Sequence, residues 1–278
     1  MLTKLMFRVG SDSEFQIETL TEDDRHALTD AADGCVGTLA KYEHIKDGYA
    51  KGWCGGAWCY YFEATRPDAV DPQHHGEQTA FYYAEAVEKF GAAPQVETLE
   101  DPSDQTFARW EDATSLYLFT SVFANGAAAT CGDSGESIPS YLLPLSVGKQ
   151  EGLYFWLNEY QALDRLWINS GELEMPTYRQ MAKPNSSLSA RGRELCADLE
   201  AATGKPTYYY LIRYYGRKND ATRPCPSCGG VWHQRETEAT SEPFHNFHFR
   251  CEKCRLVSSV ASSVEENEEH AEIGEFSG

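Results

Sequence analysis

The chain has 278 residues, 41% of them hydrophobic and 13% aromatic, and its 24 Lys and Arg against 43 Asp and Glu give a formal net charge of −19. This composition excludes a globally disordered chain, and the lack of about 18 consecutive apolar residues excludes a membrane-spanning helix. No long apolar segment with a small-residue cleavage site opens the sequence, so we expect a cytoplasmic protein that binds no membrane. In a reducing compartment the nine Cys are expected to be thiols or metal ligands.

The first predicted elements alternate between strand and helix. Lys4–Val9 predicts a short strand. Thr21 with Asp24 three residues later has the spacing of a capping box, and it predicts a helix that runs through Ala32 and stops near Gly34. The aromatic segment Ala57–Ala64 predicts a second strand.

Two further segments carry apolar residues at helical spacing. The first predicts a helix that ends at Gly91, and its apolar residues are Ala80, Tyr83, Ala84, Val87 and Phe90. The second is ambiguous between helix and strand, and we assign it to helix from Leu116, Phe119, Thr120 and Phe123.

The segment before the C-terminal quarter predicts two helices and a buried strand. Apolar spacing predicts one helix from Tyr154 to Asn169 and another from Ser187 or Ser189 to a stop at Gly204. Thr207–Tyr215 is apolar on both alternating faces, which is typical of a strand buried on both sides. The order of elements predicts an α+β fold.

Charge and cysteine spacing divide the chain into three predicted parts. Residues 1–215 form an α+β body without an assigned function, residues 216–260 form a zinc ribbon, and residues 261–278 form an acidic, disordered tail. Residues 205–260 carry nine Lys and Arg against five Asp and Glu, whereas the tail carries six Glu and no Lys or Arg. The basic segment is therefore the expected contact for an anionic partner.

Two Cys-x-x-Cys pairs give the strongest motif in the sequence. Cys225 and Cys228 form one pair, Cys251 and Cys254 form the other, and twenty-two residues separate the pairs. Two such turns supply the four thiolates of a tetrahedral zinc site, and a complete shell of four protein ligands indicates a structural ion. Redox-active thiols and bound iron are the alternatives.

Several segments of the chain resemble a bacterial zinc-ribbon-containing family of unknown function, whose members are described as candidate nucleic-acid-binding proteins. The resemblance implies a zinc ribbon joined to an uncharacterised body, and it implies no catalytic residue. It covers the C-terminal half and is carried by Cys131-Gly-Asp through Tyr154, Leu188–Cys196, Thr203–Leu211, Arg213–Gly216, Cys225–Trp232 and Phe247–Ser258.

The predicted function is nucleic-acid binding through the basic face of the ribbon. Guanidinium and aromatic groups around a ribbon can meet phosphate and base together, and the candidate contacts are Arg223, Trp232, Arg250, Lys253 and Arg255. The alternative function is a protein-interaction adaptor that docks through the ribbon. In a third interpretation Trp232 packs under the hairpin and the cations are ordinary solvated charges.

No set of residues predicts catalysis. Cys131-Gly-Asp-Ser-Gly-Glu136 is similar to the nucleophile loop of chymotrypsin-like proteases, but it lacks a matching His segment and predicts a turn. Three other cysteines, Cys35, Cys54 and Cys59, could form a second metal site with His44, although burial as small apolar side chains is the expected outcome.

Overall fold

The computed structural model describes residues 1–9, 20–46, 48–99, 108–123, 127–234, 247–263 and 265–276. The chain forms two compact units: Met1–Phe107 with Pro139–Leu142, and Ala108–Ile138 with Leu143–Gly278. The predicted α+β class is confirmed, since each unit combines helices with a sheet. No helix among the described residues is long and apolar enough to cross a bilayer.

The first unit is a four-stranded sheet with two helices. Its sheet has the order β2-β3-β1-β4, and each neighbouring pair is antiparallel. A β-α-β-β-α-β sequence with this strand order is the ferredoxin-like, split βαβ arrangement. The elements are β1 (Leu2–Arg8), α1 (Glu22–Lys41), β2 (Ala50–Cys54), β3 (Ala57–Glu63), α2 (Glu77–Phe90) and β4 (Gln95–Thr98).

The local signals at the helix ends of the first unit are mostly as predicted. Thr21 caps α1 by accepting a hydrogen bond from the backbone N–H of Asp24, and Gly91 ends α2 in the left-handed conformation. The predicted stop near Gly34 is wrong, because α1 continues to Lys41. A methyl group at Gly34 would lie 2.8 Å from Cδ1 of Tyr82, so this glycine permits α2 to pack closely against α1.

The second unit has a seven-stranded sheet with the order β7-β6-β5-β8-β11-β10-β9. The central strand β8 pairs in parallel with β5 and with β11, and the remaining pairs are antiparallel. Its strands are β5 (Leu116–Leu118), β6 (Ala129–Cys131), β7 (Ser137–Ile138), β8 (Thr207–Tyr210), β9 (His233–Gln234), β10 (Phe249–Cys251) and β11 (Leu256–Ser258). Its helices are α3 (Val147–Asn169), α4 (Glu174–Ala182), α5 (Ser187–Thr203) and α6 (Glu268–Ala271).

The segment that begins at Leu116 corrects a second prediction. We expected a helix, but Leu116–Leu118 forms a strand whose three residues are all buried. A short apolar run fits a buried strand and a helix equally well by periodicity alone. Its pairing with β8, which lies far along the chain, decides the outcome.

The core of the second unit lies between the sheet and helices α3 and α5. β8 is a central strand and its Tyr208 and Tyr209 are fully buried, as predicted for this aromatic run. Gly192 on α5 faces this strand, since a methyl group there would lie 2.2 Å from Cε2 of Tyr209 and 2.8 Å from Nε1 of Trp156. Close packing of α5 on the sheet therefore requires glycine at this position.

The described residues of the C-terminal segment, 261–263 and 265–276, make ordered contacts within the second unit, in contrast to the disordered tail expected for residues 261–278. Ala271 in α6 is buried, and its carbonyl accepts a hydrogen bond of 2.7 Å from Arg223. Glu275 pairs with Arg217 at 2.6 Å and with Arg223 at 3.2 Å. One acidic residue of the segment is therefore matched with a buried and a half-buried arginine.

Candidate metal centre

The four predicted cysteines lie together at one end of the second unit's sheet. The sulfur atoms of Cys225, Cys228, Cys251 and Cys254 lie within 4.8 Å of one another. Cys228 Sγ and Cys251 Sγ are 3.8 Å apart. Thiolates around zinc at about 2.3 Å per bond form a tetrahedron with edges of about 3.8 Å, so the donor set fits a tetrahedral metal ion.

The first knuckle comprises residues 225–230. The Gly229 N–H donates to the carbonyl of Cys225, and the Cys225 N–H donates to the carbonyl of Gly230, each at 2.8 Å. Gly229 has a φ of 66°, which is the left-handed region that glycine enters without a steric penalty. A methyl group at this position would also lie 2.8 Å from Cε1 of Phe276, so the aromatic ring covers the turn.

The second knuckle comprises residues 251–255 and joins β10 to β11. Cys251 is paired with Leu256 in the hairpin register, so the strands bring Cys251 and Cys254 to the turn. Arg255 follows the second cysteine directly, as Gly229 does in the first knuckle, and its φ is 52°. A non-glycine residue in this region is strained, and ion pairs fix its side chain.

Burial differs among the four thiols. Cys225 and Cys251 are buried, and burial raises the pKa of both thiols. Cys228 and Cys254 are partly exposed. A hydrogen bond from the backbone N–H of Gly230 lowers the pKa of Cys228 to about 7. Binding of a metal must therefore displace protons from the buried pair, which makes the affinity of the site depend on pH.

Two of the predicted nucleic-acid contacts lie inside the second unit. Arg223 and Trp232 are each only 4% exposed. Arg223 pairs with Asp220 at 2.5 Å. The ring of Trp232 packs at 5.5 Å from Phe249, with the guanidinium of Arg213 above it at 5.3 Å. Arg223 is therefore held by a buried ion pair, and Trp232 is used for packing.

The other three predicted contacts lie on the second knuckle or beside it. Arg250 stacks on Tyr208 at 4.2 Å and pairs with Glu252 at 2.6 Å. Arg255 pairs with both Glu200 and Glu252 at 3.0 Å. Lys253 is exposed and has no ion-pair partner within the part of the chain that the structure describes. Carboxylates therefore neutralise two of these three cations.

Arg213 lies beside this site and is not among the predicted contacts. It is buried, and burial lowers the pKa of its guanidinium to about 10. Its guanidinium lies above both Trp232 and Phe249, which lie near the two ends of the segment between the cysteine pairs. A single charge within the otherwise uncharged run Thr207–Tyr215 was the available signal.

The remaining candidate sites have structural roles. The segment after Cys131 forms a turn, as predicted, in which the Gly135 N–H donates to the Cys131 carbonyl at 2.9 Å. Cys35 and Cys59 are buried, whereas Cys54 is exposed. Nδ1 of His44 contacts the carbonyl of Ala69 at 2.6 Å. Among the described residues, no metal-binding group other than the four clustered cysteines is found.

The fold and the site define a class: an α+β protein with a four-cysteine candidate metal centre in its C-terminal sheet. Residues 111–212 match a family model described as "Domain of unknown function (DUF2310)", and residues 216–264 match "Domain of unknown function (DUF8594)". The chain belongs to the family of uncharacterised bacterial proteins that these two models describe.

Two relatives support this assignment, and each is named "Uncharacterized protein" from Haemophilus influenzae (strain ATCC 51907 / DSM 11121 / KW20 / Rd). They are 35% and 34% identical to this chain over 162 residues, which are 57% of this chain. The aligned part spans 60% of the first relative and 77% of the second. No solved structure matches the chain.

Proposed function

We propose that the four-cysteine cluster binds zinc and that the ion is structural. The observation that carries this proposal is the 3.8 Å separation of Cys228 Sγ and Cys251 Sγ within a group of four sulfurs. Thiolates favour zinc among the divalent ions, and four protein ligands leave no coordination position for water or substrate. The ion would join the first knuckle to the β10–β11 hairpin, and no catalytic step is assigned to it.

Metal analysis of the purified full chain tests this proposal. We expect one zinc ion per chain by mass spectrometry of the metal content. Substitution with Co²⁺ is expected to give the absorption spectrum of a tetrahedral thiolate site. An iron-containing preparation, or an octahedral cobalt spectrum, would contradict the assignment.

We further propose that the protein acts as an adaptor that docks a protein partner beside the first knuckle. Val231 is 95% exposed, and Phe276 is also exposed where it covers Gly229. Exposed apolar side chains on a rigid, metal-held turn suit a protein interface. The carboxylate partners of Arg250 and Arg255 favour this function over phosphate binding.

Nucleic-acid binding is the second candidate function. Lys253 favours this function. It is exposed and has no ion-pair partner among the residues that the structure describes, and it lies in a segment with more Lys and Arg than Asp and Glu. A salt series with single- and double-stranded DNA and RNA separates the two functions, because phosphate binding weakens steeply with salt and apolar docking does not. Salt-sensitive binding that is lost in Lys253→Glu would favour the nucleic-acid function. Absence of binding at low salt would favour the adaptor.

A further inference from the structure

We propose that a groove between α5 and the second knuckle binds a small organic anion. The groove encloses about 630 Å³, a size typical of small-molecule sites, which range over about 300–1,000 Å³. One wall is α5, and the opposite wall is formed by Lys253, Cys254 and Arg255 of the second knuckle. This inference extends beyond the proposed zinc centre, which supplies only the fixed position of one wall.

The wall formed by α5 carries an apolar stripe of alanines beside its charged residues. Ala190, Ala197 and Ala201 lie at spacings of seven and four residues, which place them on one face of the helix, and all three line the groove. Larger side chains at these positions would fill the space that their methyl groups leave open. The apolar part of a ligand can therefore lie along α5.

Two cations that line the groove are available to contact an anion. Glu200 forms two hydrogen bonds of 3.0 Å with Arg255, so these two lining residues neutralise each other. Arg193 and Lys253 also line the groove, and neither has an ion-pair partner among the residues that the structure describes. Glu194 is the remaining carboxylate. Before a bound metal is counted, the lining side chains thus carry a net charge of about +1, in a chain whose net charge is −19.

The position of Cys254 restricts where the anionic group can bind. Zinc with four thiolates would carry a formal charge of about −2, which disfavours an anion close to the sulfur of Cys254. Arg193 and Lys253 are therefore the expected contacts of a carboxylate or phosphate, and the alanines of α5 contact the apolar part. This combination favours an organic acid or phosphate ester over inorganic phosphate.

Fluorescence titration of the zinc-loaded full chain with 8-anilinonaphthalene-1-sulfonate tests the proposal, since this probe combines an aromatic body with one negative charge. We expect one saturable site. Arg193→Glu and Lys253→Glu should each raise the dissociation constant by about tenfold or more, as expected for loss of a charged hydrogen bond. Ala197→Trp should abolish binding because the indole fills the groove.

Arg191→Glu is the matched control, because Arg191 is exposed on the same helix and does not line the groove. Its affinity for the probe should equal that of the unmodified protein. Equal weakening in Arg191→Glu and Lys253→Glu would reduce the effect to overall charge and overturn the proposal. Unchanged binding in Ala197→Trp would place the probe elsewhere and also overturn it.

Displacement of the probe tests the ligand class. Adenosine monophosphate should displace the probe at a lower concentration than inorganic phosphate, because only the nucleotide has an apolar part that can contact the alanines of α5. Equal displacement by the two compounds would contradict the contribution of these alanines. Zinc content is measured for every variant, so failure of the groove proposal with zinc retained leaves the metal proposal standing.

Discussion

The two knuckles of the four-cysteine cluster place a residue in the left-handed region at the same point, directly after their second cysteine, but the residue differs. Gly229 occupies that position in the first knuckle and Arg255 in the second. Glycine reaches this conformation without a steric penalty, whereas any residue with a Cβ is strained there. The second knuckle must therefore contain contacts that offset the strain.

Those contacts come from carboxylates on two different elements. Arg255 binds Glu200 of α5 and Glu252 of its own knuckle. The first knuckle instead lies against an apolar group, the ring of Phe276. The same turn is thus stabilised by the absence of a side chain in one case and by an ion-pair network in the other. A side chain with strong partners can therefore replace glycine at a strained position.

The first prediction concerns the four-sulfur site that the two knuckles share, and its loss should have a large effect. Cys225→Ser and Cys251→Ser should each abolish stoichiometric zinc binding, because both thiols are buried donors of the four-sulfur group. Zinc contributes on the order of 10 kcal/mol to the folding of small ribbon domains, so we expect the C-terminal strands to lose protection from hydrogen exchange. Cys54→Ser is the control, since Cys54 is exposed in the first unit. Full zinc content in Cys225→Ser would refute the four-cysteine site.

The second prediction concerns Gly229 in the first knuckle. Gly229→Ala should lower the free energy of unfolding by about 1–2 kcal/mol through backbone strain alone, and the contact with Phe276 should add to this loss. The additional variant Phe276→Ala separates the two causes. The alanine substitution at Gly229 should cost less in the Phe276→Ala background, as measured by chemical denaturation. Equal costs in both backgrounds would show that the ring does not restrict this turn.

The cysteine spacing and several helix ends could be read from the sequence because they depend on residues close together in the chain, although α5 is capped by Ser186 and not by Ser187 or Ser189. Two Cys-x-x-Cys pairs specify their own turns, and Gly91 and Gly204 end their helices in the left-handed conformation as predicted. Gly34 shows the limit of such signals. Whether a glycine ends a helix or permits close packing depends here on Tyr82, which lies on another helix.

Long-range pairing also explains what the sequence did not reveal about the candidate surface. Arg223 was an expected surface contact, and its partner Glu275 lies in a segment that composition predicts to be disordered. The left-handed conformation of Arg255 could not be predicted either, since nothing near it in the sequence indicates its pairing with Glu200. Charge counts along the chain show which segments are basic but not which cations are already neutralised.

The third prediction concerns Arg255 in the second knuckle. Arg255→Ala keeps a Cβ in the left-handed region and loses the ion pairs, whereas Arg255→Gly loses the ion pairs and also removes the strain. The glycine variant should therefore be more stable than the alanine variant by about 1 kcal/mol, measured by denaturant unfolding of the zinc-loaded protein. At an ordinary helical position the order would be reversed. Greater stability of the alanine variant would show that this residue does not require the left-handed conformation.

The fourth prediction concerns the pH dependence of the ion pair between Arg255 and Glu200, for which we expect a small effect. Hydrogen bonds from Arg255 lower the pKa of Glu200 below its ordinary value. A carboxyl group with a lowered pKa in the folded state stabilises the protein above its unfolded pKa of about 4.3, and this contribution is lost as the pH falls through the folded pKa. NMR titration of Glu200 should show its pKa rising toward the ordinary value in Arg255→Gly. Glu194, which lies on α5 and has no ion pair with Arg255, is the internal reference. A Glu200 pKa that is unchanged by this substitution would mean that this carboxylate does not stabilise the second knuckle. Only Glu252 would then be left to offset the strain at Arg255.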